Sequence, residues 1–167
     1  MQCFFHHGIP DYQIICWRKA LVPNEITVRN CKHINLQQVV DESDGILSIA
    51  EGNRSIPFDI KRVFYIYGLS DPKALRGHHA HKELEQALFC LNGSCKIMLT
   101  DGENKQYFFL KDPNQGIYVG PNVWLQLFEF SGDCIILVFA SDYFKESDYI
   151  RDYDDFIKHT KTLGTKK

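Results

Sequence analysis

The stretch that decides the fold is Glu85–Leu110, EQALFCLNGSCKIMLTDGENKQYFFL. It holds three apolar runs of strand length that contain Phe, Ile and Tyr. The runs are separated by Asn92-Gly93 and by Asp101-Gly102, and both dipeptides suit the positive φ angles of tight hairpin turns. The stretch therefore predicts three consecutive antiparallel strands joined by hairpins.

Further runs of the same type lie on both sides of this stretch. They are Ile46–Glu51, Ile56–Tyr67, Gly116–Val119, Trp124–Phe130 and Cys134–Ala140. About eight to ten short strands with no helix among them predict an all-β fold, most simply a jelly-roll barrel that leaves few open edges.

The 167 residues are predicted to form one domain with a segment at each end. Residues 1–25 fit no strand or helix period and are interpreted as an arm. Residues 26–140 are predicted to form the barrel, and residues 141–167 a C-terminal tail. Within that tail, Tyr149–Leu163 has apolar side chains at helical spacing, with acids early and lysines late, so we expect a short helix packed outside the barrel.

The composition excludes several classes of protein. Hydrophobic residues make up 44% of the chain and charged residues 24%, as in ordinary globular domains. The net charge of −2 provides no positive field for a nucleic acid. The six cysteines have no zinc-finger spacing. No run approaches the roughly 18 apolar residues of a membrane span, and the first residues show no secretory leader. We therefore expect a reduced, cytoplasmic protein that binds neither nucleic acid nor membrane.

The densest polar chemistry lies in Arg76–Lys82, RGHHAHK. On a strand, His79 and His81 would point to one face and His78 to the other. Two adjacent imidazoles are costly to bury without partners. They therefore indicate a metal site, acid–base chemistry in a cavity, or a simple surface pair.

A metal is the less favoured of these readings. Glu85 follows His81 by four residues, and this spacing resembles the first metal motif of cupins. Two histidines and a carboxylate can bind iron, manganese or zinc. Metal-binding cupins add a histidine from a later strand, after a proline. No histidine follows Pro121 until His159 in the tail. We expect no metal and no other cofactor.

Two further groups are candidate partners for the histidines. Strand alternation places Tyr65 and Tyr67 on one face, so their phenols are predicted to face the cavity of the histidine pair, the alternative being two structural tyrosines. Arg76 is out of phase with the pair, although a bulge at Gly77 would turn it inward. Its guanidinium would then suit a phosphate or an enolate oxygen.

Several motifs in the right order resemble the cupin-fold dTDP-4-keto-6-deoxyglucose 3,4-ketoisomerases of bacterial deoxysugar pathways. The resemblance runs from about Ile34 to Phe156 of this chain. The residues that carry it are Ile56–Tyr67, Arg76–Lys82, Asn92–Ser94, Pro121 with Trp124, and Ser147–Tyr153.

The resemblance implies a cupin jelly roll and a metal-independent isomerase acting on a dTDP-sugar. It implies a homodimer, in some members with an exchanged amino-terminal strand, and a place in the supply of aminosugars to lipopolysaccharide and other surface polysaccharides. The catalytic histidines of the family fall on His79 and His81, its tyrosine on Tyr67 and its arginine on Arg76. This chain departs from the pattern by its amino-terminal arm and by Leu125, where some relatives have histidine.

The chemistry agrees with this assignment, because imidazole, with a pKa of about 6.5, can both take and give protons near neutral pH. The sugar nucleotide also needs an aromatic ring for its base and cations for its diphosphate. The candidate substrate-binding residues are Tyr65, Lys82, Trp124 and Arg62. The alternatives are a dTDP-sugar 3,5-epimerase, a metal-dependent oxygenase and a non-catalytic sugar-nucleotide-binding module.

Overall fold

Two five-stranded antiparallel sheets face each other and enclose the core, in the computed structural model that describes residues 25–69, 71 and 73–164. From edge to edge, the first sheet consists of Cys31–Asn35, Gln115–Val119, Gln86–Asn92, Ile135–Ala140 and Arg62–Ile66, and the second of Tyr149–Ile150, Arg76–His81, Trp124–Phe128, Cys95–Thr100 and Lys105–Leu110. This arrangement confirms the predicted jelly-roll barrel. The predicted arm lies almost entirely outside the described residues.

The strands are short, and a separate hairpin of β2 and β3 belongs to neither sheet. Their bounds are β1 Cys31–Asn35, β2 Gln37–Asp41, β3 Gly45–Ile49, β4 Arg62–Ile66, β5 Arg76–His81, β6 Gln86–Asn92, β7 Cys95–Thr100, β8 Lys105–Leu110, β9 Gln115–Val119, β10 Trp124–Phe128, β11 Ile135–Ala140 and β12 Tyr149–Ile150.

The prediction of three consecutive paired strands is wrong at Asn92-Gly93. Strands β7 and β8 pair as predicted, but β6 pairs with β9 and β11, so this turn carries the chain from one sheet to the other. Gly93 has a φ of 66°, and the Asn92 side chain donates a hydrogen bond to the Asp133 carbonyl. The turn thus packs against a second turn near Ser131 instead of closing a hairpin.

The main core lies between the sheets, because each strand alternates apolar side chains inward. Leu125 and Leu127 of β10 meet Leu88 of β6 and Val138 of β11 there. Phe64 packs against the same core from β4. The inner faces of β4 and β10 therefore identify the barrel interior.

The only α-helix in the described part of the chain, α1, spans Tyr153–Gly164 and covers the outer face of the second sheet. It begins four residues later than predicted, because Tyr149 and Ile150 pair with β5 and Asp152 then caps the helix by accepting from the Asp155 N–H. Phe156 is fully buried against Trp124. No described helix has the length and apolar character needed to cross a membrane.

Candidate active site

The imidazole rings of His79 and His81 lie side by side, with their centroids 4.8 Å apart and their planes at 82°. His79 pairs in register with Leu125, whose side chain lies in the main core. Residues opposite each other on antiparallel strands project to the same face. The pair therefore faces the barrel interior, as its two-residue spacing predicts.

Asp148 holds His81 from the side of the ring. Its Oδ2 lies 2.8 Å from His81 Nδ1, and its Oδ1 accepts a 2.8 Å hydrogen bond from the Glu83 N–H. The Lys82 N–H donates to the Asp148 carbonyl as well. The carboxylate is thus fixed by the loop that follows β5, and it fixes the ring in turn.

Both imidazoles are neutral near neutral pH. Burial and, to a smaller extent, the neighbouring His79 lower the pKa of His81 to about 4, against the opposing effect of Asp148. Burial also lowers the pKa of His79, against the opposing effect of its hydrogen bond to the Gly77 carbonyl. Both rings therefore have an unprotonated nitrogen near neutral pH.

The hydrogen bonds also determine which nitrogen carries the single ring proton. Carboxylate and carbonyl oxygens only accept, so His81 Nδ1–H donates to Asp148 and His79 Nδ1–H donates to Gly77. Each Nε2 then carries a lone pair. His81 Nε2 is buried and has no hydrogen-bond partner within the described chain. Each ring consequently keeps one unprotonated nitrogen that can accept a proton.

Aromatic side chains of the tail cover the pair. The Tyr149 ring lies 4.3 Å from the His81 ring and 4.9 Å from the His79 ring, between centroids. The Arg151 guanidinium lies 4.4 Å from the Tyr149 ring, and Phe144 packs beside it. The histidines thus lie beneath an aromatic cover, which lowers the water content around them.

Arg62 approaches the site from the opposite sheet. It shares the inward face of β4 with Phe64, and its guanidinium lies 5.2 Å from the Phe64 ring and 6.0 Å from the Phe144 ring. Its charge acts to lower the pKa of His81. Its Nε is buried with no hydrogen-bond partner among the described residues. Arg62 is therefore a cation positioned to receive an anionic ligand.

A β-bulge places Arg76 on the face of the histidines, as the sequence suggested it could. Leu125 pairs with His79, and Leu127, two residues on, pairs with Arg76, so His78 is the extra residue. Gly77 and His78 have φ angles of 80° and 55°. Arg76 is exposed at the start of the strand, at the mouth of the site.

Other predicted site residues lie elsewhere. Tyr65 and Tyr67 were expected to face the histidines, but the inward face of β4 holds Phe64, and Tyr67 is 67% exposed with Tyr65 beside it. Trp124 is 2% exposed beneath α1, so it packs the core and no nucleotide base reaches it. Lys82 is exposed near the site, and its Nζ donates to the Ser147 carbonyl.

The carboxylate of the suggested metal motif points away from the pair. Glu85 accepts a hydrogen bond from the Tyr118 hydroxyl, and Tyr118 packs with Phe58 in a separate cluster outside the main core. Within residues 25–69, 71 and 73–164, no group of three or more His, Cys, Asp or Glu side chains is placed to hold a metal ion.

A protein-family profile, "FdtA: WxcM-like, C-terminal", matches residues 29–161. The chain belongs to this family. The FdtA-family chain is 47% identical over 136 residues to a TDP-4-oxo-6-deoxy-alpha-D-glucose-3,4-oxoisomerase from Aneurinibacillus thermoaerophilus, covering 81% of this chain and 96% of that one.

Solved structures agree with the family assignment. A mutant of the 3,4-ketoisomerase QdtA from Thermoanaerobacterium thermosaccharolyticum, in complex with TDP-4-keto-6-deoxyglucose, is 44% identical, with a TM-score of 0.77 over 81% of this chain and 96% of that chain. The 4-keto-6-deoxy sugar epimerase NovW from Streptomyces spheroides is 13% identical, with a TM-score of 0.63 over 75% and 70%. The second likeness shows a common fold alone.

Sequence reasoning missed two residues of the site, Asp148 and Tyr149. Both lie in the Ser147–Tyr153 motif, which contributed to the family resemblance without any role being assigned to its members. An Asp-Tyr pair just before a helix is an ordinary surface sequence. The signal that could have identified it is a buried histidine pair, because each ring N–H then needs a hydrogen-bond acceptor.

Proposed function

We propose that this chain is a sugar 3,4-ketoisomerase that converts TDP-4-keto-6-deoxyglucose to a TDP-3-keto-6-deoxyhexose. The observation that carries the proposal is the pair of adjacent imidazoles on the inner face of β5, 4.8 Å apart between centroids, which their lowered pKa values keep neutral. Two proton acceptors side by side suit a reaction that moves one proton between carbons and one between oxygens. The relatives' activities support the substrate.

We assign to His81 the proton transfers from carbon 3 and to carbon 4. Its Nε2 takes the proton from carbon 3, which the neighbouring ketone acidifies, and later delivers a proton to carbon 4. The imidazolium that forms in between is stabilised by Asp148, 2.8 Å from Nδ1. His79 then moves the second proton from the carbon 3 hydroxyl oxygen to the carbon 4 oxygen. Atoms and charges balance without a cofactor.

The enediolate oxygen between these steps needs a positive group, and Arg62 provides one. Arg62 lies half-buried on the inner face of β4, and its buried Nε has no hydrogen-bond partner within the described residues. In a site of low water content such a cation is worth more than it is in bulk solvent. Arg76, at the mouth, is assigned to the diphosphate, and Lys82 stays nearby through the Ser147 carbonyl.

We also propose that the protein works as a homodimer. The β2–β3 hairpin pairs with no other described strand, and Ile46 and Leu47, on opposite faces of it, are 64% and 60% exposed. An isolated hairpin is marginally stable in water, so a partner must cover it. Tyr65 and Tyr67 form a second exposed aromatic surface, and we assign both tyrosines, including the family's catalytic position Tyr67, to this interface.

A cytoplasmic location fits the thiols. Cys90 Sγ and Cys134 Sγ lie 3.8 Å apart as free thiols, and Cys31 and Cys95 are free too. Pairs this close tend to be oxidised in secretory compartments. The product would serve deoxysugar and aminosugar synthesis for surface polysaccharides such as lipopolysaccharide.

The test is to incubate the full chain with TDP-4-keto-6-deoxyglucose and follow the carbonyl carbon by NMR. We expect the ketone signal to move from carbon 4 to carbon 3, with and without a chelator. His81→Asn should retain TDP binding and lose turnover by about 10²–10⁴-fold.

Other outcomes would identify the alternatives. A ketone that stays at carbon 4 while carbons 3 and 5 exchange with deuterated water would indicate an epimerase. Loss of turnover on chelation would indicate a metal enzyme. Binding without any change in the sugar over hours would indicate a non-catalytic module.

A further inference from the structure

Strand β8, Lys105–Leu110, is an edge strand with an exposed aromatic face. It ends the order of the second sheet, so one side of its backbone pairs with β7 and the other side has no strand partner within the described residues. Tyr107 and Phe109 are 63% and 55% exposed. A six-residue apolar edge of this kind invites pairing with another strand, and natural proteins usually cover it.

The chain enters the fold at this edge. The Gln106 side chain of β8 donates to the Glu25 carbonyl at 3.0 Å and accepts from the Thr27 N–H at 2.7 Å. Arg29 is fixed just beyond by hydrogen bonds to Asp101, in the β7–β8 turn. Glu25, the first described residue, therefore lies next to β8.

A groove of about 570 Å³ runs along this edge, and it is lined by both faces of β8 together with His33 and β9 residues Gln115–Ile117. The groove lies between β8 of one sheet and β1 and β9 of the other. It is on the side of the barrel away from β5 and the histidine pair. Its occupant is therefore independent of the catalytic site.

The 24 residues before Glu25 include an apolar and aromatic run, Tyr12–Trp17, YQIICW. The run has six residues, as β8 has, and four of them are aromatic or β-branched, the types that strands favour. Residues 18–24 can span up to about 24 Å, which exceeds the roughly 20 Å length of a six-residue strand. The linker is long enough to bring the run back along β8.

We propose that Tyr12–Trp17 adds as an extra strand to the free edge of β8 in the same chain. Main-chain hydrogen bonds along the edge would provide the affinity, and the aromatic side chains of both strands would pack together. The A. thermoaerophilus relative is aligned over 96% of its own length and only 81% of this chain, so it has no room for such a segment. The added strand is thus a feature of this chain's own extension.

The first experiment is amide hydrogen exchange on the full chain, read on the peptide that covers Lys105–Leu110. We expect protection of the amides that do not face β7. Ile15→Pro removes one N–H and disfavours the strand, so it should speed exchange in this peptide on the order of tenfold. His6→Pro, outside the run, is the matched control and should change nothing.

The second experiment uses Trp17 as a probe. The emission of the full chain minus that of Trp17→Phe isolates Trp17, because the buried Trp124 contributes equally to both. We expect Trp17 emission to be blue-shifted and shielded from acrylamide. Phe109→Lys on β8 should shift it to the red, whereas Leu91→Lys, an exposed apolar position on β6, should leave it unchanged.

Three results would overturn the proposal. One is exchange of the outward β8 amides at the unprotected rate in the full chain. Another is Trp17 emission that matches free tryptophan and ignores Phe109→Lys. The third is protection that grows with protein concentration, which would place the segment on a second copy instead of on its own barrel.

Discussion

Asp148 Oδ2 accepts the Nδ1 proton of His81 at 2.8 Å, and this contact leaves the lone pair on the buried Nε2 of the same ring. Without the carboxylate, the ring proton could occupy either nitrogen. Asp148 therefore acts through His81 as a positioning residue. The tail supplies it, whereas the histidine lies on β5, 67 residues earlier.

Replacing Asp148 by Asn should leave the fold intact and impair the base. The new amide N–H₂ can donate to Nδ1 and stabilise the wrong tautomer, so turnover should fall by about 10²–10⁴-fold with little change in TDP affinity. Asp152→Asn is the matched control, because Asn caps a helix as well as Asp does. Steady-state kinetics with both variants check this, and an equal effect of the two would contradict it.

The buried His81 should also make stability depend on pH. Its folded pKa, lowered by burial to about 4, lies below the unfolded value of about 6.5, so the unfolded chain binds the proton more readily. The contribution of the neutral His81 to the free energy of unfolding is intact above about pH 6.5 and is lost as the pH falls toward about 4. Between about pH 7 and about pH 5, the protein should lose about 2 kcal/mol of stability through this residue. Urea titrations of wild type and His81→Asn at both pH values give the change in unfolding free energy for each protein. The difference between these two changes is the contribution of His81.

For single residues, the sequence was sufficient to predict which neighbours in the chain share a face of the strand. His79 and His81 share a face because strands alternate, and a local pattern is enough to show that. Asp148 reaches them only because a two-residue strand, Tyr149–Ile150, pairs with β5. No periodicity is visible in two residues. The orientation of Tyr65 and Tyr67 was predicted wrongly for a related reason, since alternation separates two faces without saying which one is inside.

Among the elements, the bulge in β5 decides which residues of the RGHHAHK stretch enter the site. The extra residue, His78, reverses the phase of the strand, so that Arg76 and His79 both lie on the inner face. His78 itself stays exposed on the outside, near Gln126. The bulge thus brings a cation and two bases to one surface from seven residues of sequence.

Gly77→Ala should damage this element. Gly77 has a φ of 80°, and a Cβ there would lie 2.8 Å from both the side chain and the carbonyl of Leu125. We expect a loss of about 1–3 kcal/mol in unfolding free energy and lower turnover. Gly132→Ala is the control, because no atom lies within 4 Å of a Cβ there. Urea unfolding measures the free energy of unfolding of both variants. Equal values for the two would contradict a strained bulge at Gly77.

The turn at Asn92-Gly93 shows the limit of local turn chemistry. The dipeptide adopts the positive φ that it favours, yet it joins strands of different sheets. Turn type is a property of four residues, whereas strand pairing depends on which apolar faces meet across the barrel. The class of fold was therefore predictable, and the pairing of β6 with β9 and β11 was not.

For the whole molecule, the exposed hairpin should control assembly. Changing both Ile46 and Leu47 to Lys introduces charge into the surface that we assign to a second subunit, so the dimer should dissociate. Leu163→Lys, at an exposed position of α1, is the matched control and should remain dimeric. Light scattering after gel filtration measures the masses. A monomeric wild type, or a variant that stays dimeric, would refute the assignment.

The passage of the chain from one sheet to the other at Asn92-Gly93 has a kinetic consequence. Strands that are neighbours in the sequence mostly do not pair, and β5 joins β10 while β6 joins β11. Such pairs close long loops before any contact compensates for the lost entropy. A high contact order of this kind is typical of domains that fold in milliseconds to seconds. The β7–β8 hairpin, a local pair, is the natural place for folding to start.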